Sequence, residues 1–299
     1  LLSKNPERRA NERMKTHYLT FIVVVLLPVF ALGYAVDDGN RAPAQGWVFD
    51  IKIINTFQCP YAKEIMGMDY VDGENAITFA SNLDDALYTC NADNGNYIRA
   101  LTLNYGGNPH PFGVCYDGGG YPHVNDFSGR KIHWTDFSNW RYYSNPAGNQ
   151  GSGMDYDGEC IWEAYWTEGV FRFLPDGTRE EYYTASEIEY QMSGMTVFPF
   201  NDNIWLMFAT HGDYVFYFYE YDGGSITLIA TVDCPLTPSQ SYGLAYAAER
   251  GSVFWSYTLG EEEWIAELDL GIEDDGGGGG GGDTGIVPTS MGAIKAAYR

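Results

Sequence analysis

The chain has 299 residues, with 17 Lys and Arg against 40 Asp and Glu, a formal charge of −23, and 24 Tyr, 16 Phe, 8 Trp and 36 Gly. So negative a surface repels phosphate, which excludes nucleic acid as a partner and disfavours anionic membranes. Aromatic strand formers interrupted by frequent glycine favour many short strands over helices.

At the N-terminus, Met14-Lys15-Thr16-His17 leads into an apolar run from Tyr18 to Leu32, followed by Gly33-Tyr34-Ala35. A short basic region, an apolar core and small residues at −3 and −1 predict a secretory signal cleaved after Ala35, with Met14 as the start of translation. The run contains Pro28 and is short for a membrane span. It is therefore read as a signal rather than an anchor, leaving no membrane span after cleavage. Residues 1–35 hold five basic and two acidic residues, so their removal leaves 12 basic and 38 acidic residues and a charge of −26. Residues 36–45 form a polar lead-in.

From residue 46 to 272 the chain repeats. Gly67-Met68-Asp69-Tyr70, Gly113-Val114-Cys115-Tyr116, Gly153-Met154-Asp155-Tyr156, Gly194-Met195-Thr196-Val197 and Gly243-Leu244-Ala245-Tyr246 are copies of one pattern, spaced 46, 40, 41 and 49 residues apart. A period of 40–50 residues with four strands per unit is the signature of a β-propeller. Unit two, for example, reads as strands at Val114–Tyr116, Pro122–Asp126, Lys131–Thr135 and Trp140–Ser144. Asp-Gly pairs at 72–73, 117–118 and 157–158 turn the chain between first and second strands. The fifth unit stops after three strands. Trp47–Asn55, before the first unit, supplies the missing outer strand and closes the ring, which removes its open edge. The expectation is an all-β fold, a five-bladed propeller of four-stranded antiparallel blades.

An extended strand, Gly-Leu-x-Tyr/Trp-Asp-Gly and a second strand with Ile/Leu-Trp resemble secreted bacterial propellers of the NHL, YVTN and glutamine-cyclotransferase-like type. The resemblance covers residues 46–272 and implies the fold, while such propellers serve as enzymes, lectins and scaffolds alike. Blade two departs from the pattern, with Gly118-Gly119-Gly120-Tyr121-Pro122-His123 where the aromatic second strand belongs.

Beyond the propeller, residues 273–284 form an acidic, glycine-rich linker with seven consecutive glycines from Gly276 to Gly282. Residues 285–299 end in Thr289-Ser290-Met291-Gly292-Ala293-Ile294-Lys295-Ala296-Ala297-Tyr298-Arg299. This resembles type IX-style sorting tails, with Met291 where that pattern has Trp. The resemblance implies delivery to the surface or medium of a bacterial cell by secretion and sorting machinery.

Cys59, Cys90, Cys115, Cys160 and Cys234 show no Cys-x-x-Cys spacing, so a zinc site is unsupported. Cys59-Pro60 and Cys234-Pro235 stand at matching points of two repeats, where they either pair or remain separate buried thiols. Asp69 and Asp155 occupy the same place on two innermost strands. Their carboxylates are candidates for binding Ca²⁺, for an acid/base pair, or for capping neighbouring backbone groups. His110, His123, His133 and His211 show no spacing that converges on a metal and read as packed or surface residues. Most aromatics, among them Trp162, Trp205, Trp255 and Phe254, read as filler between blades. Trp134, Trp140, Tyr142 and Tyr143, beside Asn139 and Arg141, form a candidate sugar-stacking patch in blade two. The leading expectation is a secreted or surface-delivered, non-catalytic binding propeller for a glycan or protein. The alternatives are a carbohydrate-active hydrolase or lyase using Asp69 and Asp155, and a structural envelope component.

Overall fold

The computed structural model describes residues 47–105, 109–167 and 169–274. The predicted signal, lead-in and sorting tail, and all but the first two residues of the linker, lie outside these residues. Every regular element among them is a strand.

Strands β1 (Trp47–Phe49) and β2 (Lys52–Gln58) precede the first blade, which comprises β3 (Ile65–Val71), β4 (Ala76–Ser81), β5 (Ala86–Asn91) and β6 (Tyr97–Thr102). Blade two is β7 (Pro111–Tyr116), β8 (Pro122–Asp126), β9 (Lys131–Thr135) and β10 (Trp140–Ser144). Blade three is β11 (Gly151–Tyr156), β12 (Ile161–Tyr165), β13 (Gly169–Phe173) and β14 (Glu181–Thr184). Blade four is β15 (Met192–Phe200), β16 (Asn203–Thr210), β17 (Val215–Tyr221) and β18 (Ile226–Asp233). Blade five takes β19 (Gln240–Ala247), β20 (Ser252–Leu259) and β21 (Glu262–Asp269) from the C-terminal side and β2 from the N-terminal side, in the order β19-β20-β21-β2. All five blades are four-stranded and antiparallel, and the ring closes through β2 as the sequence predicts.

Two differences from the predicted strands have physical causes. The stretch read as one strand, Trp47–Asn55, is two. Asp50 leaves the sheet, its N–H donating to Gly271 O, and β1 pairs instead with β22 (Ile272–Asp274). Trp47 and Phe49 of this ribbon cover the seam between blades four and five, Trp47 edge-on to Trp205 at 5.2 Å and Phe49 4.4 Å from Phe218. The innermost strands also begin three or four residues earlier than the repeat suggests, because each continues through a bulge at or beside its repeat glycine.

Those five glycines form a ring. A methyl group on Gly67 would lie 2.6 Å from the Gly113 Cα, one on Gly113 2.1 Å from Ser152 O, and one on Gly153 2.3 Å from Met195 N. At Gly194 it would lie 2.0 Å from Tyr242 O, and at Gly243 2.2 Å from Met66 O and 3.0 Å from the Gly67 Cα, which returns to the start. Each innermost backbone thus presses on the next with no room for a Cβ. The repeat keeps its glycine for this close approach.

Outside the ring, apolar layers fill the wedges between blades. Trp162, Trp205, Trp255 and Phe254 are fully buried, each stabilising the fold by roughly 2–3 kcal/mol through lost water contact. Trp205 and Trp255 share the layer between blades four and five with Phe216 and Phe218. The wedge between blades two and three is the exception, with a small apolar cluster of Cys115, Ile132, Met154, Ile161 and Phe173 beside buried polar groups. The five cysteines are free; Cys59 and Cys234 do not meet, since Cys59 lies in the layer between blades five and one and Cys234 packs on that between four and five.

The glycine ring makes a direct prediction. Gly194→Ala should lower unfolding free energy by about 3 kcal/mol or more by overpacking backbone against backbone. Gly224→Ala, where the nearest neighbour is 3.9 Å away, should change it by less than about 0.5 kcal/mol. Equilibrium urea unfolding of both variants checks this.

Candidate functional site

The innermost strands run from the glycine ring toward one mouth of the propeller, and their C-terminal ends in blades one, two and three surround a pocket of about 300 Å³. Blade one contributes Asp69, Tyr70, Asp72 and Glu74, with Arg99 from β6. Blade two contributes Tyr116, Asp117, Gly118, Gly120 and Phe137, and blade three Tyr156 and Gly158. The turns after β3, β7 and β11 place these groups, and positive φ angles of 78° at Gly73 and 101° at Gly158 let the chain reverse there.

Charge in the pocket is uneven. Asp69, Asp72, Glu74 and Asp117 face one cation, Arg99, whose guanidinium already pairs with Glu74 at 2.6 Å. Tyr70, Tyr116, Tyr156 and Phe137 add four aromatic rings, Phe137 being 63% exposed at the rim. Carboxylates beside aromatic faces make a setting that favours a cation, by ion pairing and by attraction to the ring quadrupole.

Asp117 is the most elaborately held of these acids. Its Oδ1 accepts the Gly119 and Tyr121 N–H groups at 2.9 Å each, and its Oδ2 lies 3.2 Å from His123 Nε2. His123 Nδ1 in turn lies 3.1 Å from the Tyr143 hydroxyl. Burial pushes the Asp117 carboxyl up, but its bonds to His123 and the two amides outweigh burial and hold it below the usual carboxylate range. A carboxylate–imidazole–phenol chain therefore runs from the pocket wall into the wedge between blades two and three.

Asp69 and Asp155 sit at matching positions but do different things. Asp69 lines the pocket and accepts the Tyr116 N–H of the next blade at 2.6 Å. Asp155 is not among the groups that line the pocket. Its Oδ2 accepts Thr196 Oγ1–H at 2.6 Å and Val197 N–H at 2.8 Å, both from blade four. Thr196 passes the pattern on by accepting the Tyr246 N–H of blade five at 2.9 Å. These bonds join neighbouring blades at the mouth. No three His, Cys, Asp or Glu side chains converge to hold a metal among the described residues.

The blade-two aromatics are divided rather than gathered. Neighbours on a strand face opposite ways, so Trp140 and Tyr142 share the side of His133, with Trp140 5.2 Å from Tyr105 and Lys131 Nζ 3.8 Å above the exposed Tyr142 ring. Trp134 and Tyr143 take the other side around His123, and Arg141 covers Trp134 at 4.9 Å. His123 and His133 are buried. Burial lowers the His133 pKa to about 4.

Behind this wedge lies a carboxylate that the repeat reading passed over. Glu163 on β12 is fully buried. Its Oε1 accepts Asn125 Nδ2–H at 2.7 Å and Asn145 Nδ2–H at 2.8 Å, and its Oε2 has no hydrogen-bond partner among the described residues. Burial raises its pKa to about 7 against the opposing pull of the two amides. Asn125 also receives the Gly113 N–H at 2.6 Å and donates to Ser152 O at 2.7 Å. The network thereby grips the glycine ring between blades two and three. The matching residues in the other blades, Phe79, Val124, Phe208 and Trp255, are apolar.

Because its folded pKa exceeds its unfolded value of about 4.5, Glu163 contributes stability that is fully present below pH 4.5 and lost as pH rises through 7. Glu163→Gln should therefore gain on the parent by about 2–3 kcal/mol between pH 5 and pH 8. Parallel urea titrations at the two pH values measure the difference.

No protein family and no curated protein sequence matches the chain significantly. Solved structures do match in shape. Glutaminyl cyclase from Myxococcus xanthus superposes with a TM-score of 0.58 at 13% identity, over 76% of this chain and 98% of that one. A gluconolactonase from Xanthomonas campestris gives 0.50 at 9% identity, over 74% and 90%. Virginiamycin B lyase from Staphylococcus aureus gives 0.46 at 15% identity, over 70% and 81%. At these identities the likeness concerns the fold, a β-propeller, and not the chemistry.

Proposed function

We propose that this protein is an exported bacterial propeller that binds a small ligand bearing an ammonium group at the mouth formed by blades one, two and three. The observation that carries this reading is the pocket's imbalance: four carboxylates and four aromatic rings around about 300 Å³, with its single arginine already paired. An ammonium group there meets carboxylates with little competing positive charge, and the rings exclude water from one side of it. Export is supported by the apolar run from Tyr18 to Leu32 with Gly33-Tyr34-Ala35 after it, and sorting by the Thr289–Arg299 ending. The ammonium group belongs to an amino sugar or to a peptide, the glycan and protein ligands expected of a surface propeller.

A catalytic reading has its own observation. Asp117 is backed by His123 and Tyr143 and shares the pocket with Asp69, so two carboxylates in different environments face one cavity. That arrangement suits acid/base cleavage of a bound carbohydrate. It replaces Asp155 by Asp117 as the partner of Asp69. The fold's neighbours include a glutaminyl cyclase and a gluconolactonase. A purely structural envelope role would leave the pocket without a ligand.

Calorimetric titration with glucosamine and benzylamine, alongside their neutral counterparts glucose and benzyl alcohol, separates these readings. The binding reading expects the amines to bind and the neutral partners to bind at least tenfold more weakly. It also expects 0.5 M NaCl to weaken the amines and Asp72→Asn to cost about tenfold. Equal binding of glucose would overturn the charge argument in favour of a polyol site. No heat with any of the four would support a scaffold, and sugars released from a polysaccharide panel, and lost in Asp117→Asn, would support the enzyme.

A further inference from the structure

The seam of the ring carries two thiols that the pocket does not use. Cys59 stands in the link between β2, which closes blade five, and β3, which opens blade one. Its N–H donates to Glu263 O and its carbonyl accepts the Ala62 N–H, so the link is fixed on both sides. Cys90 lies on β5, paired with Ile77 on one side and Tyr97 on the other. Both are fully buried in the same apolar layer, with Ile77, Phe79, Phe254 and Ile265. Each thiol perturbs the other's titration, raising that of Cys59 and lowering that of Cys90. Tyr61 roofs the pair, its hydroxyl 3.7 Å from Cys59 Sγ and donating to Gly95 O at 2.9 Å.

We propose that Cys59 and Cys90 are a redox pair that closes to a disulfide in an oxidising compartment and staples the ring's seam to blade one. The partner that sequence alone offers for Cys59, Cys234, packs on a different apolar layer. Cys115 and Cys160 are buried in blades two and three. Among the described residues no other two cysteines share an apolar layer, so the pairing is specific.

The chemistry is thiol–disulfide exchange with a disulfide oxidant. One protein thiol loses its proton and attacks a sulfur of the oxidant, releasing one reduced thiol and leaving a mixed disulfide. The second protein thiol, deprotonated in turn, displaces the remaining half of the oxidant and forms the Sγ–Sγ bond. Two thiols are oxidised, one disulfide is reduced to two thiols, and the two protons pass to those products. The hydrogen bond from Cys59 favours the Cys90 thiolate and burial opposes it, the net effect being downward. Cys59 is shifted upward by the same contact and by burial. Either thiol can make the first attack. Because neither sulfur reaches solvent in the closed ring, the exchange takes place during folding or during opening of the seam. The bond closes the loop from 59 to 90, which contains the first three strands of blade one, and so restricts the unfolded chain.

The test uses the full chain, refolded once with oxidised and reduced glutathione and once with dithiothreitol, then alkylated under denaturing conditions and digested with trypsin. Cleavage after Lys52, Lys63 and Arg99 puts Cys59 in peptide 53–63 and Cys90 in peptide 64–99, each with one cysteine. The expected product of the first pool is a disulfide-linked 53–63/64–99 pair, with Cys115, Cys160 and Cys234 alkylated. The thermal midpoint of that pool should lie about 10 °C above the reduced one, and Cys90→Ala should abolish the difference. Five alkylated thiols in both pools would overturn the proposal, as would Cys59 linked to any other cysteine. A linked pair that leaves the midpoint unchanged would overturn the stapling role. The peptide map needs only the parent protein, so it decides the pairing even if the variant fails to fold.

Discussion

The structure depends on how closely five backbones approach around one axis. At Gly67, Gly113, Gly153, Gly194 and Gly243 each innermost strand touches the next, and even one methyl group would collide with main-chain atoms at 2.0–2.6 Å. Close-packed interiors tolerate such an intrusion poorly. The contact fixes the spacing of the blades near the axis, and the bulge beside each glycine sets the angle at which the strand continues toward the mouth. Side chains that would otherwise be scattered over 227 residues of repeat are therefore delivered to one rim at positions a few residues beyond each glycine.

The five wedges around that axis are not equivalent, and the site lies where they differ. Large aromatics fill the seams around blades four and five, with Trp205, Phe216, Phe218 and Trp255 in one layer. Between blades two and three the layer is small, and its neighbours are His123, Tyr143, Asn125, Asn145 and Glu163. Buried polar networks hold geometry well when their members are paired and are costly when they are not. In this wedge the amides of Asn125 and Asn145 hold one oxygen of Glu163, while the imidazole of His123 reaches Asp117 at the pocket wall. Polarity is thus invested on the side of the ring that carries the pocket. Asp155 and Thr196 use theirs to join blades three, four and five.

The period of the glycine pattern, the four strands of each unit and the closure by an N-terminal strand were legible in the sequence because each is a local signal repeated five times. Three strands of blade two match the sequence reading to the residue, since turn pairs such as Asp117-Gly118 mark where strands end. The bulges were not legible, because a bulge changes pairing without changing composition. The pocket was missed for a related reason. Asp-Gly at 72–73, 117–118 and 157–158 was a turn signal, yet its restriction to blades one to three marked the side on which acids gather at the mouth. The aromatic run in blade two is divided by the strand itself, because Trp140 and Tyr142 alternate with Arg141 and Tyr143. Adjacency along a strand places neighbours on opposite faces. Glu163 could have been noticed as the one charged residue at a position that holds Phe79, Val124, Phe208 and Trp255 elsewhere.

The central claim is that the mouth of blades one to three, rather than the outer face of blade two, is where this propeller meets its ligand. Backbone amide NMR of the isotopically labelled protein during titration with glucosamine tests it most directly. The account predicts shifts confined to Asp69–Glu74, Tyr116–Gly120 and Tyr156–Gly158, with Arg99 and Phe137 at the border. Shifts centred on Trp140 and Tyr142 instead, with the mouth unperturbed, would contradict it.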